Sequence, residues 1–389
     1  MKTANERLLD DFVKHQIRLI SYGNGLSKSS VKKLKATEGE VARILLVYAE
    51  KLSGKSLTTK MGKRNLAKME KEIRAVRHEA WLSIRKEISS ELRELLKEET
   101  EFVVKAIQKN MPVALDLKTP KPKTPGGLAE EVEGAAISVW FKDAEQKEIV
   151  NIRNRFKMSL QDQELNSPGQ IVKAVVGTAI FKRKDGVLRK SWNGIDSVVT
   201  SSIAKTRSKA TRDVTFANPD TIGKEYFVAT LDIHTTFQCA SHDGKVFPVK
   251  QGPVPPLHFR CRSLRIMLME YRFMKDRPFN SNVEKKTLDD FTRSNGLSRV
   301  GSAKDLPYGY KTQYRSFNRN RKRELMGVLP AETNFAQWFK TQNKAFQDEY
   351  LGVTRAKLYR EGGLEISQFT NRLGNTLTLD QLKARNLLP

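Results

Sequence analysis

The sequence predicts a mostly helical α+β protein with a helical N-terminal region, a small β-hairpin unit around residues 231–269 and a helical C-terminal tail. Two observations predict this fold class. Long segments carry apolar residues at helical spacing between Lys, Arg and Glu, and one short stretch concentrates turn residues, prolines, cysteines and histidines. The length of 389 residues suggests two or three domains. We expect a helical domain at 1–111, a Pro/Lys-rich linker at 112–127, a core at 128–275 and a helical extension at 276–389.

Net charge is the strongest global signal. The chain holds 70 Lys and Arg against 44 Asp and Glu, a formal charge of +26. Such a field favours a polyanionic partner, for example nucleic acid bound without sequence preference. No apolar run is long enough to cross a bilayer and no signal-peptide pattern follows Met1, so we expect a soluble, unexported protein with no membrane partner. Two cysteines exclude a disulfide-rich secreted scaffold.

Three helices are predicted for the first third of the chain. The first runs over Asn5–Tyr22, and Gly23–Gly25 should end it because glycine tolerates the left-handed conformation. The second covers about Ser29–Leu52 and is closed by Gly54. The third covers Asn65–Asn110, with apolar residues every three or four positions. We expect a helical hairpin or bundle with solvated charged faces, while docking on a helix of another subunit remains an alternative.

A boundary and further helices follow. Lys118–Gly127 is rich in proline and lysine and is therefore expected to be extended, either as a linker or along a phosphate backbone. Helical signals resume over 128–162 and around 171–182, with Pro168 as the break. A helix over 195–212 carries basic side chains that we expect to project, either as a charged outer face or as DNA contacts. These candidate DNA contacts are Lys205, Arg207, Lys209 and Arg212.

The stretch Leu231–Arg262 contains both cysteines and three of the five histidines. Within it, the Asp243-Gly244 pair separates two runs of mixed apolar and polar residues, which predicts a hairpin whose turn needs a positive φ. Gly252-Pro253 and Pro255-Pro256 then predict an extended approach to His258. The hairpin and this return would bring the two cysteines together.

Beyond this stretch the pattern is again mainly helical. Ser263–Met269 is an apolar run that we expect to form a strand paired with the hairpin. A short helix is predicted around Leu288 and Phe291. Residues 307–323 mix Arg, Asn, Tyr and Phe without a period, and we interpret them as a loop, with single-strand stacking as the alternative. A compact helical tail follows, in which a capping box at Thr378–Gln381 opens the last helix.

The residues of the central stretch also carry a family resemblance. Their order is Asp-x-x-Thr, then a cysteine, Asp-Gly, Pro-Pro-x-His and Cys-Arg. This order resembles the core signature of the Mu F-like minor head proteins, a phage head-morphogenesis family. The chain departs from that pattern at Thr236 and Ser263, which stand where the pattern has cysteines, and this excludes a four-thiolate zinc site. The matching residues are Asp232, Thr235, Cys239, Asp243, Gly244, Pro255, Pro256, His258, Cys261 and Arg262.

The tail extends the resemblance. The segments Phe346–Gly352 and Arg355–Gly362 are similar to C-terminal extensions of some members of the family, so the resemblance covers roughly Ile195 to the C-terminus. It implies a structural minor head protein of a tailed bacteriophage, without enzymatic activity. Its implied partners are the portal, the major capsid or scaffold protein and packaged DNA. Its implied location is the capsid interior near the portal vertex, after assembly in the host cytoplasm, with a possible part in DNA ejection.

Three interpretations of the cysteine and histidine cluster are open. A structural zinc ion would be held by Cys239, Cys261, His258 and either His242 or His234, although the spacing matches no standard zinc finger. A disulfide between the cysteines is an alternative, but a reducing cytosol would delay or prevent it. Two buried thiols beside hydrogen-bonded histidines are the third.

An enzymatic function is the alternative from another class. A metal-dependent nuclease or a toxin-like enzyme would be built on the cluster of Asp232, His234, Asp243 and His258. Nothing after Cys261 predicts the helix-borne His or Asn that would complete a ββ-metal nuclease site, and no Gly-rich phosphate loop or G-x-S-x-G motif is present in the sequence.

Overall fold

The computed structural model describes residues 3–111, 114–121, 127–178, 186–269, 277–330, 333–371 and 375–384. It confirms a mostly helical α+β fold in which small antiparallel sheets accompany long helices. The helices before the central sheet are α1 (Ala4–Ala36), α2 (Glu38–Leu52), α3 (Lys60–Asn110), α4 (Ile137–Gln161), α5 (Pro168–Val176) and α6 (Leu188–Ala217). The helices that follow the first strand of the central sheet are α7 (Phe237–His242), α8 (Glu284–Ser294), α9 (Tyr310–Glu324), α10 (Phe335–Lys340), α11 (Lys344–Leu351), α12 (Val353–Glu361) and α13 (Leu379–Ala384).

The strands are short. The central sheet has β3 (Lys224–Val228) between β4 (Val246–Pro248) and β5 (Leu264–Leu268), all antiparallel. Two separate ribbons also form, one of β1 (Glu131–Val132) with β2 (Ala135–Ala136) and one of β6 (Arg277–Asn280) with β7 (Met326–Leu329). Single 3-10 turns occur at Gly127–Ala129 and Ile366–Phe369.

Helix α1 continues through the glycines that were expected to end it. Leu19 and Leu26 on either side of them are both buried against α3 and α6, so packing holds the helix together. A Cβ at Gly23 would lie 3.0 Å from the Ile203 side chain, and the glycine therefore allows α1 to approach α6 closely. The predicted end at Tyr22 is wrong, and the break between the first two helices falls at Thr37.

Helix α3 is the longest element and packs beside α1, α4 and α6. Its side chain Arg77 is completely buried, and its guanidinium pairs with the Glu148 carboxylate of α4 and donates to the carbonyl of Leu34 at 2.6 Å. The indole of Trp81 donates to the same carboxylate at 2.7 Å. A buried ion pair is tolerated when its hydrogen bonds are satisfied, and here it joins α1, α3 and α4.

The N-terminal helices share a core with the central sheet. Leu8 of α1, Ile107 of α3, Val214 of α6 and Ile266 of β5 belong to one buried cluster. In the region predicted as a linker, Leu117 joins the same cluster, and the Asn218 side chain bonds the backbone of Lys118 in both directions. The parts of that region at 112–113 and 122–126 lie outside the described residues.

The predicted hairpin does not form. Phe237–His242 is a helix, and β4 after the Asp-Gly turn pairs with β3. Residues 264–268 do form the predicted strand, β5, but this strand also pairs with β3 and not with a hairpin. Thr236 explains the helix, because its side chain accepts the Cys239 N–H as an N-cap. The expected positive φ is present, since Gly244 has φ +79°.

The C-terminal third forms two further clusters. Residues 310–324 are helix α9, and the loop interpretation is wrong because Tyr314 and its neighbours pack on Phe291 of α8. Helices α10 to α13 pack around Phe335, Trp338 and Phe346. The capping box before α13 is confirmed by its reciprocal hydrogen bonds: Thr378 N donates to Gln381 Oε1 at 2.9 Å, and Gln381 N donates to Thr378 Oγ1 at 3.2 Å.

Candidate functional site

Two cysteines and one histidine meet beside the central sheet. Cys239 lies on α7, Cys261 lies shortly before β5, and His258 follows the Pro255-Pro256 pair, whose peptide bond is cis. The two sulfur atoms are 3.7 Å apart, and His258 Nε2 lies 3.3 Å from the sulfur of Cys239. Both cysteines are buried and neither is in a disulfide. Among the described residues, these three form the one group of His, Cys or acidic side chains close enough to share a metal ion.

Hydroxyl groups surround this thiol pair. Thr236 Oγ1 is 3.0 Å from His258 Nε2, and Ser263 hydrogen-bonds Cys239. Thr236 and Ser263, the two positions at which the chain departs from the Mu F-like pattern that it resembles, thus both lie at the cluster. The other histidine nitrogen, Nδ1, is 2.8 Å from the carbonyl oxygen of Phe259, which orients the ring.

The two thiols do not ionise alike. The hydrogen bond with Cys261 and burial raise the pKa of the Cys239 thiol. The hydrogen bond from Cys239 holds the pKa of Cys261 well below its ordinary value against the effect of burial, with help from His258. Burial lowers the pKa of His258, but the sulfur of Cys261 and the carbonyl of Phe259 raise it overall. Without a metal ion, Cys261 is thus the stronger acid of the two thiols and Cys239 the weaker one.

The donor atoms fit a tetrahedral zinc ion in type and spacing. With Zn–S bonds near 2.3 Å, two sulfur ligands of a tetrahedral site are about 3.8 Å apart. The observed sulfur separation is 3.7 Å, and the nitrogen lies 3.3 Å from one sulfur. Two thiolates and one imidazole would fill three positions, leaving the fourth for water or another ligand.

The other predicted metal ligands lie elsewhere. His242 lies outside the group able to share an ion; its ring contacts Phe227 and Phe247 instead, and burial lowers its pKa. His234 is also outside the group and lines a neighbouring cavity of about 510 Å³. Neither histidine is therefore close enough to complete the group of Cys239, His258 and Cys261. The cavity borders Thr236, His258 and Cys261, so the open side of the cluster faces it.

The aspartates of the motif hold the chain together around the cluster. Asp232 pairs with the Arg262 guanidinium and accepts the His234 N–H at 2.9 Å. Burial raises the pKa of Asp232, but the hydrogen bonds and charge of Arg262 hold it below its usual value. Thr235 Oγ1 donates to the carbonyl of Thr230, closing the same turn.

Asp243 makes the longer connection. One carboxylate oxygen accepts the Ala229 N–H at 2.6 Å, and the other accepts the Phe335 N–H of α10 at 2.7 Å. The residue thus ties the end of β3 to the C-terminal helices. The nuclease cluster does not assemble, because Asp232, His234, Asp243 and His258 do not form a shared metal group among the described residues.

The four basic residues proposed to contact DNA differ in their exposure. Arg207 is buried, donates to Gln16 and to the Ser263 carbonyl, and complete burial lowers its pKa to about 10. Lys209 pairs with Asp213 at 3.1 Å, and Arg212 lies over the ring of Phe216. Burial lowers the pKa of Lys205. The expectation that these side chains project is wrong for Arg207, because Gln16 of α1 and the Ser263 carbonyl cover it. The other three are half-buried and line a cavity of about 170 Å³ beside Glu130.

A surface that the sequence interpretation missed lies on α9. Lys311, Arg315, Arg319 and Lys322 recur every three or four residues and line one groove. The cations of this segment have helical spacing in the sequence, which could have indicated a helix. Its apolar residues show no clear helical period, and the segment was therefore interpreted as a loop. We call these four residues the α9 stripe.

No protein-family model, curated protein or solved structure matches the chain. In the part of the chain that the structure describes, every helix is too short or too polar to cross a bilayer.

Proposed function

We propose that this chain is a structural minor head protein of a tailed bacteriophage, related to the Mu F-like family. It would bind the portal, the major capsid or the scaffold protein during head assembly and contact packaged DNA. Its place would be the capsid interior near the portal vertex.

The observation that carries this proposal is the architectural use of the motif. Asp232 and Arg262 pair across the unit, and Asp243 joins the sheet to α10. Cys239, His258 and Cys261 close its centre. The side chains of the motif bind other segments of the same chain, as is expected of a protein with a structural function. This use of the motif supports the resemblance to the minor head proteins over the enzymatic alternative.

The charge supports the contact with DNA. An excess of cations that gives +26 favours a polyanion, and packaged DNA is the polyanion inside a phage head. Arg207 is buried and would not serve this contact, whereas Lys205, Lys209 and Arg212 are half-buried.

Quantitative mass spectrometry of purified particles tests the proposal. Purified heads of the phage that encodes this chain should contain it in a fixed, low copy number relative to the major capsid protein. A knockout should yield fewer filled heads, and complementation should restore them. Absence of the chain from both immature and mature heads would contradict the proposal.

A further inference from the structure

Helix α9 combines one apolar face with one strongly basic face. Tyr310, Tyr314 and Phe317 turn toward Phe291 of α8 and fix the helix in place. The helix has six Lys and Arg and one Glu over 15 residues, a net charge of 6 − 1 = +5. Almost a fifth of the chain's excess charge therefore lies on one rigid element.

The pairing of these cations differs from that on other exposed helices. On α3, Lys97 and Lys105 each pair with a glutamate at 3.0 Å one helical turn away. On α9, the side chains of Lys311, Arg315 and Arg319 have no acidic partner among the described residues, and Lys322 pairs only with an exposed glutamate of α8, Glu284. Exposed charges without neutralisation remain available for an external anion.

The stripe lines a groove. A depression of about 520 Å³ is bordered by the stripe together with Lys304, Tyr314 and Asn318. Lys311 to Lys322 spans 11 residues, or about 16 Å along the helix at 1.5 Å per residue. A DNA duplex carries roughly one phosphate per 1.7 Å of axis when both strands are counted, so this length of duplex carries about ten phosphates, and those on its near side can face the stripe.

We propose that the α9 stripe binds the phosphate backbone of double-stranded DNA without sequence preference. The proposal rests on the DNA contact of the proposed function and assigns it to a site. Duplex is favoured over single strands because the rings of Tyr310, Tyr314 and Phe317 are packed against Phe291 rather than lying free for bases to stack on. The planar guanidinium group of arginine can donate two parallel hydrogen bonds to phosphate oxygens.

Fluorescence anisotropy with a short mixed-sequence duplex, titrated from about 50 to 200 mM salt, tests the site. The stripe variant is Arg315→Ala/Arg319→Ala. The matched control, Lys97→Ala/Lys105→Ala, also removes two positive charges, but from exposed positions on α3 that pair with glutamates. Because the four side chains are exposed or partly exposed, circular dichroism should show unchanged folding in both variants.

The stripe variant should lose roughly tenfold affinity per lost phosphate contact near 0.1 M salt, and the slope of log K against log salt should shrink by about 0.9 per contact. The control should retain the wild-type slope. Arg315→Lys/Arg319→Lys, which keeps both charges, should recover most of the lost affinity.

Three results would overturn the assignment. Equal losses in the stripe variant and the control would mean that only the general field of the protein attracts DNA. Tighter binding of a single strand than of the duplex would assign the groove to another partner. No binding of DNA by the wild type would refute the DNA contact itself, whereas the particle composition decides separately whether the chain is a head protein.

Discussion

Asp243→Ala should loosen the contact between the central sheet and the C-terminal helices. The carboxylate is buried and accepts the Ala229 N–H at 2.6 Å and the Phe335 N–H at 2.7 Å. Both donor residues are themselves buried. A hydrogen bond to a charged group contributes about 1.5–3 kcal/mol, so losing this shared acceptor should cost roughly 3–6 kcal/mol. Asp243→Asn retains one acceptor oxygen and should lose about half as much.

Hydrogen exchange with mass spectrometry locates the effect. Peptides containing Ala229 and Phe335 should exchange roughly a hundredfold to ten-thousandfold faster in Asp243→Ala, since each 1.4 kcal/mol of local stability corresponds to about a factor of ten. Helices α2 and α5, which pack with parts of α3 and α4 in a separate buried cluster, should keep their protection. The control is Asp220→Ala, an exposed acid between α6 and β3. Exchange and melting temperature no different from those of this control would refute the reasoning.

Two further predictions concern the cluster and its ion pair. Cys239→Ser and Cys261→Ser should lower the melting temperature by similar amounts, and the double variant should add little, because the two sulfurs lie 3.7 Å apart and act as one unit. Elemental analysis and a thiol count on the wild type separate zinc, a disulfide and free thiols; additive losses with two free thiols and no zinc would leave only independent buried thiols. For Asp232, the pKa below 3.8 means that its stabilisation is complete above that pH and is lost as the pH falls toward the lower folded value. Asp232→Asn should therefore melt earlier than wild type at neutral pH and show a shallower loss below pH 3.8, and unchanged acid melting curves would contradict this.

The long helices could be predicted because their period is strong. Ile73, Ile84 and Leu92 of α3 recur at helical spacing, and all are buried. The end of α1 could not be predicted from its glycines, since Gly23 serves close packing on α6 instead of a turn. Strand β3 was missed because its buried run of Tyr226, Phe227 and Val228 lacks alternation.

The candidate site was predictable in part. The approach of Cys239, His258 and Cys261 was expected from the turn residues between them, although α7 replaces the predicted hairpin strand. The exclusion of His242 depends on its ring contacts with Phe227 and Phe247. These are tertiary contacts, and a single sequence does not contain them.

The basic residues show the same limit. In the sequence, Arg207 looks like an ordinary surface cation among other basic residues. In the structure it donates hydrogen bonds to Gln16 and to the Ser263 carbonyl, which are distant from it in the chain. Sequence spacing alone cannot show that another helix covers this position. The spacing of Lys311, Arg315 and Arg319 was readable, and the basic face would have followed had the segment been recognised as a helix.

An asymmetric reconstruction of the phage head tests the central claim most directly. The account predicts density on the inner side of the portal vertex that accepts the long α3 helix and the central sheet, with the α9 stripe facing DNA. Heads whose inner portal-proximal surface shows no such density, or particles that carry the chain only on the outer surface, would contradict it.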